Sequence, residues 1–270
     1  MLKLKHNSNR YIICALIFFF SWQGISFAND IENILIISVD ALHPDALSAK
    51  TSKNIYRIMK QGVYTIDGHS TDPPLTLLAH AAMFSGLGPA ESQKTDNTWQ
   101  IGEATIKGET IFDIAKSKRY ETGFFYSKTK LGYLINESIN QHQFDKDFSL
   151  ENASEFFKNA TGKRFCFLHI SGLDRAGPIE GWMSLGYLEE LFYIDETIGP
   201  LVHWIESKGN FLIIVTSDHA GHSTIHGSSH PDDSKLPLIM FSDSVDLKDY
   251  QDIKYHVTEL KAILKAILKS

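Results

Sequence analysis

Three near-continuous apolar runs, each followed within a few residues by an aspartate, constrain the fold of this chain more than any other feature. The runs are Asn33–Val39, Arg164–Ile170 and Phe211–Thr216, and the aspartates that follow them are Asp40, Asp174 and Asp218. Apolar runs without polar alternation are typical of strands that are buried on both faces of a parallel sheet. Because the carboxyl ends of parallel strands share one edge of the sheet, we expect the three carboxylates to converge there.

The segments around these runs predict an α/β fold. Predicted helices cover residues 54–61, Thr76–Ser85, and residues 110–118, 182–207 and 256–269; two further predicted strands cover residues 122–126 and 236–241, and residues 89–102 are expected to form a loop. Strands that alternate with helices build a parallel or mostly parallel sheet with helices on both faces. We therefore predict an α/β three-layer sandwich with a mostly parallel central sheet.

The first 28 residues have the layout of a secretory signal peptide. Three Lys or Arg residues precede a mostly apolar stretch at residues 11–22, and Ser26-Phe27-Ala28 offers a small-x-small cleavage site. The alternative is a membrane anchor, but the apolar run is shorter than the roughly 20 residues that a span needs. We expect residues 1–28 to be removed and residues 29–270 to form a single domain, periplasmic or secreted, without a stable membrane span.

Charge and cysteine content narrow the expected partners and covalent links. The formal net charge is −6, and no basic block stands out beyond the signal peptide, so a nucleic-acid polymer is not an expected partner. Of the two cysteines, Cys14 lies in the signal peptide and Cys166 lies inside a predicted strand. We therefore expect no internal disulfide, and we expect Cys166 to be a core residue rather than a nucleophile.

The stretch after the third apolar run carries a carboxylate and several imidazoles. It reads Ser217-Asp218-His219-Ala220-Gly221-His222 and continues to Ile225-His226-Gly227. Asp and His together suit Zn²⁺ and related divalent metals. The alternative is a solvated His-rich loop, since 12 of the 270 residues are His. An aspartate after a strand most often caps a turn, so it is the expected convergence of three aspartates that favours a metal site.

Thr76 and two lysines are the other candidates for chemistry. Thr76 lies at the start of a predicted helix, where backbone N–H groups and the helix dipole favour an anion. A threonine at such a position is more commonly an N-cap. Lys128 and Lys130 follow the predicted strand at residues 122–126, and they are either solvated or in contact with an anionic substrate.

Four short blocks of sequence carry a resemblance to a known family. They are Ile36-Ile37-Ser38-Val39-Asp40, Thr76-Leu77-Leu78-Ala79-His80 with Met83-Phe84-Ser85-Gly86, residues 86–97 ending in Asn97, and Thr216-Ser217-Asp218-His219 with His226-Gly227. In this order they resemble the alkaline phosphatase superfamily, and in particular its type I phosphodiesterase/nucleotide pyrophosphatase branch. One departure is Leu78, which stands where the family's Thr-x-Pro-x-His block has proline. The resemblance implies an alkaline phosphatase-like form of the predicted sandwich.

The resemblance implies two metal sites a few ångströms apart. One would use Asp40, Thr76, Asp218 and His219, and the other would use Asp174, a His four residues later, and His226. The second site is incomplete, because residue 178 is a proline and has no side-chain ligand. Replacements from His222, His230, Glu180 or water are open alternatives. One or two divalent ions are therefore expected, with zinc as the first expectation and manganese or iron as alternatives.

The resemblance also implies a reaction. Thr76 would be the nucleophile and would form a covalent phosphoryl or phosphodiester-type intermediate, and Asn97 would donate a hydrogen bond to a phosphoryl oxygen. We predict an exported, metal-dependent phosphodiesterase with a small phosphate ester or nucleotide-like substrate; a sulfatase would be expected to carry Cys or Ser at position 76. The alternative is a degenerate member that binds a phosphorylated ligand without turnover, or a one-metal esterase, because Pro178 and Leu78 depart from the pattern.

Overall fold

A computed structural model describes residues 30–269, and the predicted signal peptide at residues 1–28 lies outside them. The strands are β1 Asn33–Val39, β2 Val63–His69, β3 Glu121–Tyr126, β4 Gln141–Phe144, β5 Arg164–Ile170, β6 Phe211–Thr216, β7 Lys235–Ser242 and β8 Tyr255–His256. They form one sheet in the order β4-β3-β5-β1-β6-β7-β2-β8. Strand β1 is therefore central, with β5 and β6 on either side of it.

The sheet is mostly parallel, as predicted, with one strand that runs the other way. Strand β1 pairs in parallel with β5 and β6, and β3 pairs in parallel with β4 and β5. Every residue of β1 and β6 is buried, which explains their uninterrupted apolar composition. Strand β7 is antiparallel to both of its neighbours, β6 and β2, because strand direction is decided by long-range pairing and not by local composition.

Nine α-helices lie within the described residues, together with four short 3-10 helices. The α-helices are α1 Lys53–Gln61, α2 Thr76–Ser85, α3 Pro89–Ser92, α4 Ile111–Ser117, α5 Ser149–Asn159, α6 Gly172–Glu180, α7 Leu185–Lys208, α8 Pro231–Ser234 and α9 Leu260–Ile267. Helix α2 ends at Gly86, which takes the left-handed conformation (φ 74°) that glycine adopts without steric cost. Across residues 30–269, we find no helix with both the length and the apolar character needed to cross a membrane.

Two apolar cores cover the two faces of the sheet. Side chains alternate along a strand, and in β1 Ile34 and Ile36 join one core while Leu35 and Ile37 join the other. The first core includes residues of α2, α4 and α9, and the second includes residues of α1, α5 and α7. The molecule is therefore the predicted three-layer sandwich.

Several elements differ from the prediction where the apolar pattern is weak. Strands β2, β4 and β8 and helices α5, α6 and α8 are not predicted from the sequence, and the last helix begins at Leu260 rather than at residue 256. Strand β4 is an exposed edge strand without an apolar face. The expected loop at residues 89–102 contains α3, and the long helix begins at Leu185 because Ser184 caps it by accepting a hydrogen bond from the Tyr187 N–H at 3.2 Å. Asp174 lies in the first turn of α6.

Candidate active site

The ends of β1 and β6 bring two carboxylates and an imidazole together. Asp40 follows β1, and Asp218 and His219 follow β6, the parallel neighbour of β1. The Nε2 atom of His219 lies 3.4 Å from Oδ1 of Asp40 and 3.6 Å from Oδ2 of Asp218. All three side chains are completely buried. The structure thus places these residues at the shared edge to which the sequence assigns them.

The third aspartate reaches the same place from α6. Oδ1 of Asp174 lies 3.7 Å from Nε2 of His219 and 3.4 Å from Nε2 of His226. The rings of His219 and His226 stack with their centroids 4.6 Å apart. The result is two overlapping groups of potential ligands, Asp40/Asp218/His219 and Asp174/His219/His226. Because His219 belongs to both groups, two ions would compete for its single Nε2 atom.

The gap at position 178 is not filled by a nearby imidazole. Pro178 is an exposed residue of α6, one helical turn after Asp174. His222 and His230 instead stack on each other with centroids 3.8 Å apart, and Nδ1 of His222 lies 2.6 Å from Oδ1 of Asp233. Among the described His, Cys, Asp and Glu residues, only His219 groups with Asp174 and His226.

Unsatisfied polar atoms are concentrated in this cluster. Four buried atoms here lack a hydrogen-bond partner: Oδ1 of Asp40, Oδ1 of Asp174, Oδ2 of Asp218 and Nε2 of His219. They are half of the eight such atoms found within residues 30–269. Leaving buried polar atoms unpaired is costly, and carboxylate oxygens and imidazole nitrogens are the donors that zinc and related ions prefer. The residues therefore fit a divalent cation.

Thr76 is the first residue of α2, and its hydroxyl connects to this cluster. The N-cap residue of α2 is Leu75, whose side chain makes no capping hydrogen bond, so the commoner N-cap role does not apply to Thr76. Asn97 lies beside it, with Oδ1 accepting a hydrogen bond from the Leu77 N–H at 2.9 Å. The hydroxyl and an amide are thus both placed at the positive end of the helix dipole.

Lys128 lies inside the cluster, which sequence reasoning did not establish. Its Nζ atom is 2.6 Å from Oδ2 of Asp40, 2.6 Å from Oδ2 of Asp174 and 3.0 Å from Oγ1 of Thr76. Burial opposes the charged form of Lys128, but Asp40 and Asp174 outweigh it and raise the pKa. Burial would likewise raise the pKa of Asp40, but Lys128 and the hydrogen bond from His169 hold that pKa well below its usual range.

Two buried histidines, His169 and His80, form hydrogen bonds with Asp40 and with the backbone of Thr76. Nε2 of His169 lies 2.9 Å from Oδ2 of Asp40, and its Nδ1 lies 3.0 Å from Oγ of Ser127. Nδ1 of His80 lies 2.7 Å from the carbonyl oxygen of Thr76, and burial lowers the pKa of His80 to about 4. His80 is therefore a neutral positioning residue. The role of His169 was missed, although a histidine within an apolar strand run was a usable signal.

Comparison with known families supports one relationship across most of the chain. The sequence model of the family described as type I phosphodiesterase / nucleotide pyrophosphatase matches residues 34–233, which are 200 of the 270 residues. The matched range contains every residue that the sequence nominates for catalysis or metal binding.

The chain is also similar to curated proteins named GPI ethanolamine phosphate transferase 1. It is 29% identical over 121 residues to the protein from Candida glabrata and 21% identical over 222 residues to that from Aspergillus oryzae. These alignments cover 38% and 70% of this chain. The chain spans only 13% and 21% of the length of these two relatives.

Solved structures share the fold at low sequence identity. A putative sulfatase from Bacteroides thetaiotaomicron has a TM-score of 0.69 and 14% identity, covering 88% of this chain and 71% of its own. The phosphonate monoester hydrolase of Agrobacterium radiobacter has a TM-score of 0.67 and 13% identity, and the match covers 88% of this chain and 74% of that one. The C-terminal periplasmic domain of EcEptC from Escherichia coli, in complex with Zn, has a TM-score of 0.63 and 10% identity, and the match covers 86% of this chain and 81% of that one. The predicted alkaline phosphatase-like sandwich is confirmed.

Proposed function

The chain belongs to the type I phosphodiesterase/nucleotide pyrophosphatase family, and from this premise we propose that it is a metal-dependent phosphoric-ester hydrolase. Phosphodiesters are the first expected substrates and monoesters the second, in the form of a small phosphate ester or nucleotide-like molecule. One observation carries the proposal: the Thr76 hydroxyl lies at a helix N-terminus, linked through Lys128 to a buried cluster of unpaired ligand atoms.

The residues that would hold the metal are Asp40, Asp218, His219 and the hydroxyl of Thr76. The unpaired buried atoms of the first three support this assignment, and a domain of similar fold is known in complex with Zn. Zinc is the first expectation, and manganese and iron are the alternatives. When bound, a divalent ion supplies the Lewis acidity that favours the deprotonated form of a neighbouring hydroxyl.

The chain's own residues define the first chemical step. Oγ1 of Thr76 gives up its proton to solvent and attacks phosphorus, and the bond to the leaving oxygen breaks; that oxygen departs as an alcohol after taking a proton from water. Thr76 then carries the phosphoryl group, which keeps its second ester when the substrate is a diester. The ammonium of Lys128, 3.0 Å from Oγ1, holds the negative charge that remains as the hydroxyl proton leaves. The dipole of α2 and the side-chain amide of Asn97 hold the charge that develops on the phosphoryl oxygens.

Substitution of Thr76 tests the proposal. Thr76→Ala removes the attacking oxygen, so turnover of bis(4-nitrophenyl) phosphate by the metal-loaded protein should fall at least about a thousandfold. Thr76→Ser keeps the oxygen and should retain measurable turnover. Mass spectrometry of peptides after rapid quench should find a peptide containing residue 76 that carries a 4-nitrophenyl phosphate group only where the hydroxyl is present. A Thr76→Ala protein with wild-type turnover contradicts the assignment, and a wild-type protein that binds phosphate without turnover supports a binding role.

A second candidate is transfer of the phosphoryl group from Thr76 to an alcohol rather than to water. Two observations favour it: the similar curated proteins are named as phosphate transferases, and Pro178 leaves the second metal position one ligand short. The two candidates differ in product. ³¹P NMR of a reaction containing ethanolamine should show only phosphate monoester and inorganic phosphate for a hydrolase, and a new phosphodiester or phosphoethanolamine signal for a transferase.

We also propose that the mature protein is exported, on the strength of the signal-peptide pattern at residues 1–28. N-terminal sequencing of the protein recovered outside the cytoplasm is expected to begin at Asn29. Recovery of the chain only in the cytoplasm with Met1 intact contradicts this proposal.

A further inference from the structure

We propose that the ammonium group of Lys128 permanently fills the second cation position of this site, so that the chain binds one divalent ion rather than two. The inference rests on the proposed metal site and specifies its composition. It also assigns Asp174 a different role, as a partner of Lys128 rather than as a metal ligand.

The first observation in support is that Lys128 has three close polar contacts within the site. Its Nζ atom lies 2.6 Å from a carboxylate oxygen of Asp40 and 2.6 Å from one of Asp174, and it donates a hydrogen bond to Thr76 Oγ1 at 3.0 Å. Only 18% of the Lys128 side chain is exposed. An ammonium in this place pairs with Asp174, the carboxylate of the second ligand group, and also with Asp40 and the attacking oxygen, so a second cation bound by Asp174 would have to displace it.

The charge balance favours a cation here. Asp40, Asp174 and Asp218 converge within a mostly buried site, where unpaired like charges repel strongly. One divalent ion and one ammonium together carry three positive charges, which match the three carboxylates.

The supply of ligands argues against a second ion. An ion bound by Asp40, Asp218 and His219 uses the only ring nitrogen of His219 that faces the cluster, since Nδ1 of His219 lies 2.9 Å from the carbonyl oxygen of Ala220. Asp174 and His226 are then the two protein ligands left, because residue 178 is proline. Catalytic metal sites usually have three protein ligands, so the second position is deficient as well as occupied.

Counting metal ions in matched variants tests the inference without measuring activity. Full-length mature protein is incubated with Zn²⁺, freed of loosely bound ions, and assayed by elemental mass spectrometry. Wild-type protein and Pro178→His should each hold one ion, because Lys128 blocks the second position even when the missing imidazole is restored. The double variant Lys128→Met/Pro178→His should hold two. Lys130→Met/Pro178→His is the matched control and should hold one. Lys130 also lies near Asp40, Asp174 and Asp218, but it is Lys128 whose ammonium contacts Asp40 and Asp174 directly.

The outcomes separate the inference from the proposed function. Two ions in the wild-type protein or in Pro178→His overturn the inference and leave the proposed function intact, and these two measurements do not depend on whether the Lys128 variant folds. One ion in a folded double variant, made also as Lys128→Gln/Pro178→His, overturns it as well. No ion in the wild-type protein removes the proposed metal site itself, and the inference with it.

Discussion

At the start of α2, the side-chain amide of Asn97 offers an acceptor, Oδ1, and a donor, Nδ2, with different uses. Its Oδ1 atom accepts the Leu77 N–H at 2.9 Å, which fixes the amide and satisfies one of the first backbone donors of the helix. That N–H is consequently not available to a substrate. With Oδ1 engaged in this way, Nδ2 is the end of the Asn97 amide that can donate to a phosphoryl oxygen, and this is the physical basis for its proposed role.

Substitution of Asn97 should therefore slow the chemical step. Asn97→Ala removes the donor, and kcat for a phosphodiester should fall by about 10²- to 10³-fold, the usual loss for one donor to developing negative charge. Asn97→Asp keeps an oxygen for the Leu77 N–H but has no donor, so it should lose at least as much. Steady-state kinetics and thermal unfolding of both variants check this. A folded Asn97→Asp protein with wild-type kcat contradicts the proposed role.

Among the elements, the packing of α7 on α1 depends on a buried carboxylate. Oδ2 of Asp195, in α7, accepts the Asn54 N–H at 2.8 Å, and its Oδ1 accepts the Ile55 N–H at 2.8 Å. The N-cap residue of α1, Ser52, makes no capping hydrogen bond of its own. Asp195 therefore supplies from another helix the acceptor that an N-terminus needs, and its charge suits the helix dipole.

Asp195→Ala should destabilise the fold. It leaves the Asn54 and Ile55 N–H groups without their acceptor, and the free energy of unfolding should fall by about 2 kcal/mol. Urea denaturation followed by circular dichroism measures this. Glu196→Ala is the control, because Glu196 is the exposed neighbour of Asp195 and should change stability by less than about 0.5 kcal/mol. Equal effects of the two substitutions contradict the capping role.

For the whole molecule, the proposed metal would join separate parts of the chain at one edge of the sheet. Its ligands follow β1, begin α2 and follow β6, and they lie up to 179 positions apart in sequence, from Asp40 to His219. A ligand that binds only the folded state stabilises it by mass action. The metal should therefore act as a cross-link for folding as well as a reagent.

Removing the metal should lower the unfolding temperature. Compared with chelated protein, Zn²⁺ at about 100 times its dissociation constant should raise Tm by about 5 to 10 °C. Asp218→Asn weakens the donor set and should lose most of this rise, whereas Asp246→Asn, an exposed acid with 67% of its side chain accessible, should keep it. Differential scanning calorimetry measures both. An equal zinc effect in the two variants contradicts the assignment of Asp218.

The sequence by itself determined the frame of the molecule and the expectation that three aspartates meet at one edge of its sheet. Strands β1, β5 and β6 and helix α2 have the predicted bounds, because uninterrupted apolar runs and a Gly86 stop signal are local and strong. The aspartates after these strands converge because parallel neighbours share one edge. The family could be inferred from short sequence blocks, because their order and spacing can be read without knowing which residues are in contact.

Only the tertiary structure decided the direction of β7, the exposed strand β4 and the position of Lys128. A strand is apolar whichever way it runs, and an edge strand of polar residues has no pattern to read. Lys128 has a long, flexible side chain, and its ammonium pairs with Asp40 and Asp174, which are 88 and 46 residues away in the chain. Because this attraction arises only after folding has brought the three carboxylates together, no local sequence pattern predicts the position of Lys128.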